Sequence, residues 1–513
     1  MDVKMALLRR RYAGISRIII VIIGVLLQAL TMYTLVRVLR EYSSWVYILL
    51  EIFSIFLVFV LVNESESYKF FWVIIVLILP VFGFVLYFMW GRKRTNSKSN
   101  RRIRQIVEKG KAYKVQDPQI LDEFKRLHPN KIQICRQLVN YGFPVYRNTE
   151  VLYYESGEKQ FEAMFKDLEA AKSFIFLEFF IINEGEIWNQ TKEILGRKVL
   201  EGVEVRLLFD DFGCLSTNTI EFRQELAKMG IRFSIFAPLQ KGMSRLNFNY
   251  RNHQKVVIID GNIGYTGGTN IGDEYANLYE RFGYWKDTAI RLYGEGTWSL
   301  TSIFLEMWEI SKGYEDLDYN KYKPTIQIDA AGYVQAMADG PANNPENPIE
   351  STYLHMINKA REYIYFTTPY LVPDKKMIDD LRRAAKSGVD VRIITPRKYD
   401  KWYVYMVTVM NYGMLLEAGV KIYEYVPGFI HSKIVVADDD CAICGSINMD
   451  YRSFYLHYEC GILMSENDCV FDIKEDFMDT LRKSERISYD KWRKRGVLQK
   501  TIQWILKIFS PIL

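Results

Sequence analysis

The feature that most limits how this chain can fold is a repeat within its latter part. Ser173–Glu184 reads SFIFLEFFIINE and is echoed by EYIYFTTPYLVPD over Glu362–Asp374. GVEVRLLFDD from Gly202 returns as GVDVRIITPR from Gly388, and GIRFSIFAP from Gly230 returns as GVKIYEYVP from Gly419. NHQKVVIIDGNIGYTGGTN, ending at Asn270, matches IHSKIVVADDDCAICGSIN, ending at Asn448. The order is kept and the offset stays near 178–189 residues. Self-similarity of this kind outranks any single-segment reading, so the fold must be built from two copies of one unit.

Within each copy, short β-branched and aromatic runs alternate with helical stretches such as Thr191–Glu201 and Asp379–Ser387. That alternation predicts an α/β fold with a largely parallel or mixed sheet. Two duplicated domains follow, over residues 141–325 and 326–490, related as a pseudo-twofold unit. A site shared between them would lie at their interface.

The matching segments carry the chemistry. His253, Lys255 and Asp260 in the first copy correspond to His431, Lys433 and Asp438 in the second, each as H-x-K-x4-D. The strand period of two puts His and Lys on one face. Each Asp falls out of phase, in a turn composition (Asp260-Gly261-Asn262, Asp438-Asp439-Asp440), and is expected to orient and pair rather than touch substrate. Asn270 and Asn448 follow their histidines by 17 residues, behind Gly267-Gly268 and Gly445-Ser446. Small residues let donors approach an anion closely, so Asn270, Asn448 and Ser446 are candidate phosphate ligands. Two lysines and two asparagines suit a phosphodiester and the charge that builds on it during transfer. One histidine can attack phosphorus, and the other can protonate the leaving oxygen. A carboxylate should hold the outer nitrogen of each ring, and one candidate follows each motif: Asp287 after the first, Glu459 after the second. His128, His355 and His457 are read as structural.

Cys441 and Cys444 form a CxxC, but no second cysteine or histidine pair stands at ligand spacing. They read as small buried strand residues, and no metal is expected.

The front of the chain is different in kind. Residues 1–91 hold three apolar stretches, 18–36, 45–62 and 70–90, each near the length of one bilayer crossing. Arg9, Arg10, Arg11 and Arg17 precede the first, while Arg92, Lys93, Arg94, Lys98, Arg101, Arg102 and Arg104 follow the third. Both clusters favour the cytoplasm, and three crossings cannot place both there, so the larger one is assigned to it. Residues 92–140 read as a basic juxtamembrane linker attracted to anionic headgroups. The net charge of +6 is modest and, with its basic residues gathered beside the apolar stretches, gives no nucleic-acid signature. Over residues 491–513, Leu498, Ile502, Ile505, Leu506 and Phe509 follow helical spacing, with Lys500, Gln503 and Lys507 opposite. Such a helix could lie in a membrane interface or pack on the protein's own core.

Paired H-x-K-x4-D motifs followed by G-(G/S)-x-N resemble the phospholipase D superfamily, and within it the bacterial cardiolipin synthases. LEFFIINEGEIW, RNHQKVVIIDG, GYTGGTNIGDEY, TTPYLVPD, FIHSKIVVADD, GSINMDYRSFYLHYE and LPVFGFVLYFMWGRK are close to that family's pattern. The resemblance implies two phospholipase D-like α/β domains behind N-terminal transmembrane helices, in a multi-pass protein of the bacterial cell membrane. It implies transfer between two phosphatidylglycerol molecules, giving cardiolipin and glycerol, without cofactor or metal. His253 would be the nucleophile and His431 the general acid. The sequence departs from the pattern at His457, where asparagine is common, and at Cys214, where serine is frequent. Other phosphatidyltransferases, phospholipid hydrolases and a membrane-tethered nuclease share the catalytic pair and are the alternatives.

Overall fold

The computed structural model describes residues 43–61, 66–79, 98–238, 250–341 (except 314 and 316) and 346–510, with isolated positions between 30 and 37 and between 82 and 87. Residues 1–95 and 244–248 form one compact unit, and 96–243 with 249–513 form a second.

In the first unit, the second apolar stretch becomes the helix Ser43–Leu61, and the third is helical over Glu66–Ile78. The 18–36 stretch lies outside the described residues apart from isolated positions. Among the described residues, no helix is long and apolar enough to cross a membrane. Along Ser43–Leu61, Trp45, Leu49, Ile52, Phe53 and Phe56 are all exposed.

The second unit carries the duplication as two sheets. The described residues of the first half form a seven-stranded sheet in the order Thr149–Tyr154, Ala289–Gly294, Ile263–Gly267, Val256–Ile259, Phe174–Phe179, Glu204–Asp210, Arg232–Phe236. Those of the second half give Tyr333–Asp339, His457–Ser465, Cys441–Gly445, Ile434–Ala437, Tyr363–Thr367, Asp390–Pro396, Lys421–Tyr425, Ser484–Ile487. Both sheets are mixed. Phe174–Phe179 runs parallel to Glu204–Asp210 but antiparallel to Val256–Ile259, and Tyr363–Thr367 stands likewise between Asp390–Pro396 and Ile434–Ala437. These central strands are buried on both faces, which explains their continuous apolar runs.

The motif aspartates build the turn after each motif strand. Asp260 and Gly261 both take positive φ (53° and 69°), as do Asp438 and Asp439 (51° and 59°), the backbone sign of an I′-type hairpin turn. The Asp260 carboxylate accepts from the N–H groups of Lys172, Ser173 and Phe174. Asp438 accepts from Arg361, Glu362 and Tyr363 in the same way. Each aspartate thus clamps its hairpin to the start of the neighbouring central strand.

Residues 98–140, within the span read as a basic juxtamembrane linker, are helical. They fold into the helices Lys98–Tyr113, Pro118–Leu127 and Ile132–Asn140. Ile134 and Leu138 join the main core, and Lys114 makes a buried ion pair with Glu306 at 2.7 Å. The basic composition hid an apolar periodicity (Ile103, Ile106, Val107) that a packed helix requires. Cys441 and Cys444 are buried and free within their strand, as the CxxC reading expected.

Candidate active site

Each motif histidine is set in place by the opposite half of the chain. Arg251–Asn252 forms a short parallel ladder with His457–Tyr458, and the His253 N–H donates to the Tyr458 carbonyl at 2.9 Å. Gly428–Ile430 pairs in parallel with Tyr284–Lys286, and the His431 N–H donates to the Lys286 carbonyl at 2.7 Å. A carboxylate stands one residue beyond each partner ladder. His253 Nδ1 therefore lies 2.9 and 3.0 Å from the two oxygens of Glu459, and His431 Nδ1 lies 2.6 Å from Asp287. The pairing is crossed relative to chain order, which had set Asp287 with the first motif and Glu459 with the second. Both carboxylates are fully buried. A carboxylate can only accept, so each ring carries its hydrogen on Nδ1 and keeps the Nε2 lone pair for chemistry.

The lysines are equally symmetric. Lys255 donates to the carbonyl of His253, and Lys433 to that of His431. Burial pushes Lys255 down to about 7, with Glu459 opposing, and Lys433 down to about 8, with Asp287 opposing. Burial also holds His253 well below the ordinary imidazole range, helped by the charges of Lys255, Lys433 and His431. His431 falls to about 4, through burial and Lys433. Groups of the second motif thus act on the first, and the four face one electrostatic environment. Two imidazoles held neutral and two ammonium groups that burial brings close to losing their protons are groups whose charged forms a neighbouring anion would favour.

Other expected site residues fare differently. Ser446 is not free to bind phosphate: its hydroxyl donates to Glu459 and accepts from the Cys460 N–H at 3.1 Å. Asn270 donates to the Tyr275 hydroxyl at 2.8 Å and accepts from the Ile181 N–H at 3.0 Å. Asn448 keeps a buried Oδ1 that has no hydrogen-bond partner among the described residues. Asp260 and Asp438 are occupied with backbone amides, as above, and are structural.

Sequence reading missed part of the surround. Ser453 donates to Glu459 at 2.8 Å, so two hydroxyls and one imidazole fix that carboxylate. His457, read as structural, has its ring 5.4 Å from that of His253 and its Nδ1 3.7 Å from Glu459. Its signal was available: it stands two residues before Glu459 in one strand, hence on the same face. Phe180 flanks His253, and Trp285 and Tyr275 flank His431.

His253, His457 and Glu459 bring ligand atoms within 4.8 Å of one another, a possible metal group among the described residues. Arg452 donates to His457 Nε2 at 3.1 Å and His253 Nδ1 is committed to Glu459, while His457 Nδ1, 3.7 Å from Glu459, has no hydrogen-bond partner among the described residues.

Residues 164–284 and 353–481 match the family described as cardiolipin synthase, PLD-like domain, and residues 52–92 match the phospholipase D-nuclease N-terminal family. A cardiolipin synthase of Listeria monocytogenes is 32% identical over 491 residues, covering 93% of this chain and 100% of that one. The chain belongs to the bacterial cardiolipin synthase family of the phospholipase D superfamily. "Cardiolipin synthase 2" of Bacillus anthracis is 36% identical over 468 residues, 90% of each chain. In three dimensions, the chain is similar to phosphatidylserine synthase from Haemophilus influenzae, at 14% identity and a TM-score of 0.57, covering 74% of this chain and 100% of that one, which supports the shared α/β fold. As a member of this family, the chain is a phosphatidyltransferase; His253, His431 and Glu459 lie within the matched segments, and Asp287 lies three residues past the end of the first.

Proposed function

We propose that this phosphatidyltransferase joins two phosphatidylglycerol molecules into cardiolipin and releases glycerol, through a phosphohistidine on His253. The observation that carries the reading is the crossed pairing of His253 with Glu459 and His431 with Asp287. It leaves two oriented imidazoles whose Nε2 atoms carry no hydrogen bond among the described residues, each beside a buried lysine.

Neutral His253 attacks phosphorus of the first phosphatidylglycerol. The bond to the glycerol oxygen breaks, and His431 supplies the proton that oxygen needs. A bound phosphodiester adds negative charge where burial now holds His431 neutral, so its proton affinity rises when substrate enters. Glu459 stabilises the imidazolium that forms as the P–N bond is made. In the second half, a hydroxyl of another phosphatidylglycerol gives its proton to His431 and attacks phosphorus. The P–N bond breaks, and cardiolipin leaves. Lys255 and Lys433 neutralise the non-bridging oxygens throughout, with Asn448 as a further polar contact.

Membrane attachment belongs to the same proposal. Exposed apolar side chains along Ser43–Leu61, the apolar stretches around it and the basic residues after residue 91 support a multi-pass anchor that keeps the enzyme beside anionic lipids. Incubation of purified protein with labelled phosphatidylglycerol, alone and with phosphatidylethanolamine or CDP-diacylglycerol, tests the reaction by lipid chromatography. Cardiolipin formed from phosphatidylglycerol alone, with free glycerol, is expected. Strict dependence on another donor, or cutting of plasmid DNA without lipid turnover, would overturn it.

A further inference from the structure

The C-terminal helix Val497–Ile508 is docked inside out. Two of its polar residues face the protein: Gln503 is buried, accepts from Arg495 at 2.6 Å and lies 3.9 Å from Met406 Sδ, and Lys507 donates to Asn411 at 2.9 Å. Leu506 packs with Val404 and Val407. The opposite side of the helix, spaced i, i+3/i+4 and i+7/i+8, presents Val497, Leu498, Trp504 and Ile505 to the outside, at 81%, 74%, 68% and 53% exposure. Thr501, the remaining exposed member of that stripe, returns its hydroxyl to the Val497 carbonyl at 3.1 Å, which hides its polarity. A helix that buries its amide and ammonium groups and exposes its apolar stripe is matched to an apolar exterior.

We infer that this stripe is a second membrane contact: the helix lies in the interface of a lipid bilayer and holds the catalytic unit against it. Exposed Arg493 and Lys494 precede the helix, a charge suited to anionic headgroups, and an interfacial tryptophan fits the depth where headgroup meets acyl chain. Met406 and Asn411, which receive the helix, belong to the helix Trp402–Glu417. The surface follows from burial and is independent of the chemistry assigned to the histidines.

The test uses the full chain reconstituted in phosphatidylglycerol–phosphatidylcholine vesicles, with a nitroxide label on L498C or I505C. All six native cysteines are buried, so the labels report the chosen positions. A label on K166C, on an exposed position of the first half, is the aqueous control. Collision with oxygen, relative to a water-soluble nickel complex, should be about fivefold higher at 498 and 505 than at 166. Equal ratios at all three positions would overturn the inference, as would dipolar broadening at 498 or 505, the sign that a second copy covers the stripe. Neither readout needs turnover, so failure of the reaction assignment would leave this result standing.

Discussion

His253 Nδ1 of the first half lies 2.9 Å from Glu459 of the second. The nucleophile proposed for the reaction is thus held by a carboxylate 206 residues away, and His431 is held by Asp287 in the mirror sense. Neither motif histidine is held by a carboxylate of its own half. This is a physical reason for the duplication to be kept as one chain.

The crossing makes opposite predictions for the two carboxylates. E459Q should slow formation of the covalent intermediate, because Glu459 supports His253. D287N should instead slow protonation of the leaving group through His431. Each is expected to lower kcat by about 100-fold or more. Rapid-quench measurement of the adduct separates them. Identical effects on both half-reactions would contradict the assignment of roles.

In H431A the second half-reaction lacks its base, so the phosphatidyl adduct should accumulate on His253 and be found there by peptide mass spectrometry. H253A should form none. An adduct on His431 in H253A would reverse nucleophile and acid.

Ser446 and Ser453 both donate to Glu459, so S446A and S453A should each lower kcat by roughly tenfold with little change in KM. A direct phosphate contact at Ser446 would instead raise KM.

Anion binding should take up protons at alkaline pH. Burial sets Lys255 at about 7 and Lys433 at about 8, so at pH 8 the first is mostly neutral and the second half charged. A phosphate oxyanion favours the charged forms and raises both values. Calorimetry with tungstate or phosphate in buffers of different ionisation enthalpy should report uptake of roughly one proton at pH 8 by the lysines, a share that falls towards zero below pH 6, where the remaining uptake belongs to His431. Proton release would show the sign to be wrong.

D260A should act on stability and spare chemistry. It removes the acceptor for three backbone amides and places alanine at positive φ, for a loss of about 2–3 kcal/mol in unfolding free energy. D260N should recover part of it, since asparagine tolerates that backbone. Thermal unfolding measures both, and kcat below the transition should stay near that of the parent.

Much was legible beforehand because it rests on local pattern. The repeat announced two α/β units, and the out-of-phase Asp260 and Asp438 read as turn residues, which they are; the strand period invoked for His and Lys does not apply, because His253–Lys255 and His431–Lys433 fall in the links between strands. The helices of 98–140 escaped because a basic composition was weighed above its apolar spacing. Ser446 looked like an anion ligand because a small polar residue beside a motif has two uses, and only its neighbour Glu459 decides between them.

What the chain determined by itself is the inventory: two imidazoles, two ammonium groups, two carboxylates and a duplicated sheet to carry them. Which carboxylate meets which histidine was decided by tertiary structure alone. Short parallel ladders between the halves, Arg251–Asn252 on His457–Tyr458 and Gly428–Ile430 on Tyr284–Lys286, deliver each histidine to the other half's acid. Tertiary structure likewise turned the polar side of the last helix inward. Periodicity describes the two faces of an element, and only the packing of its neighbours says which face is outside.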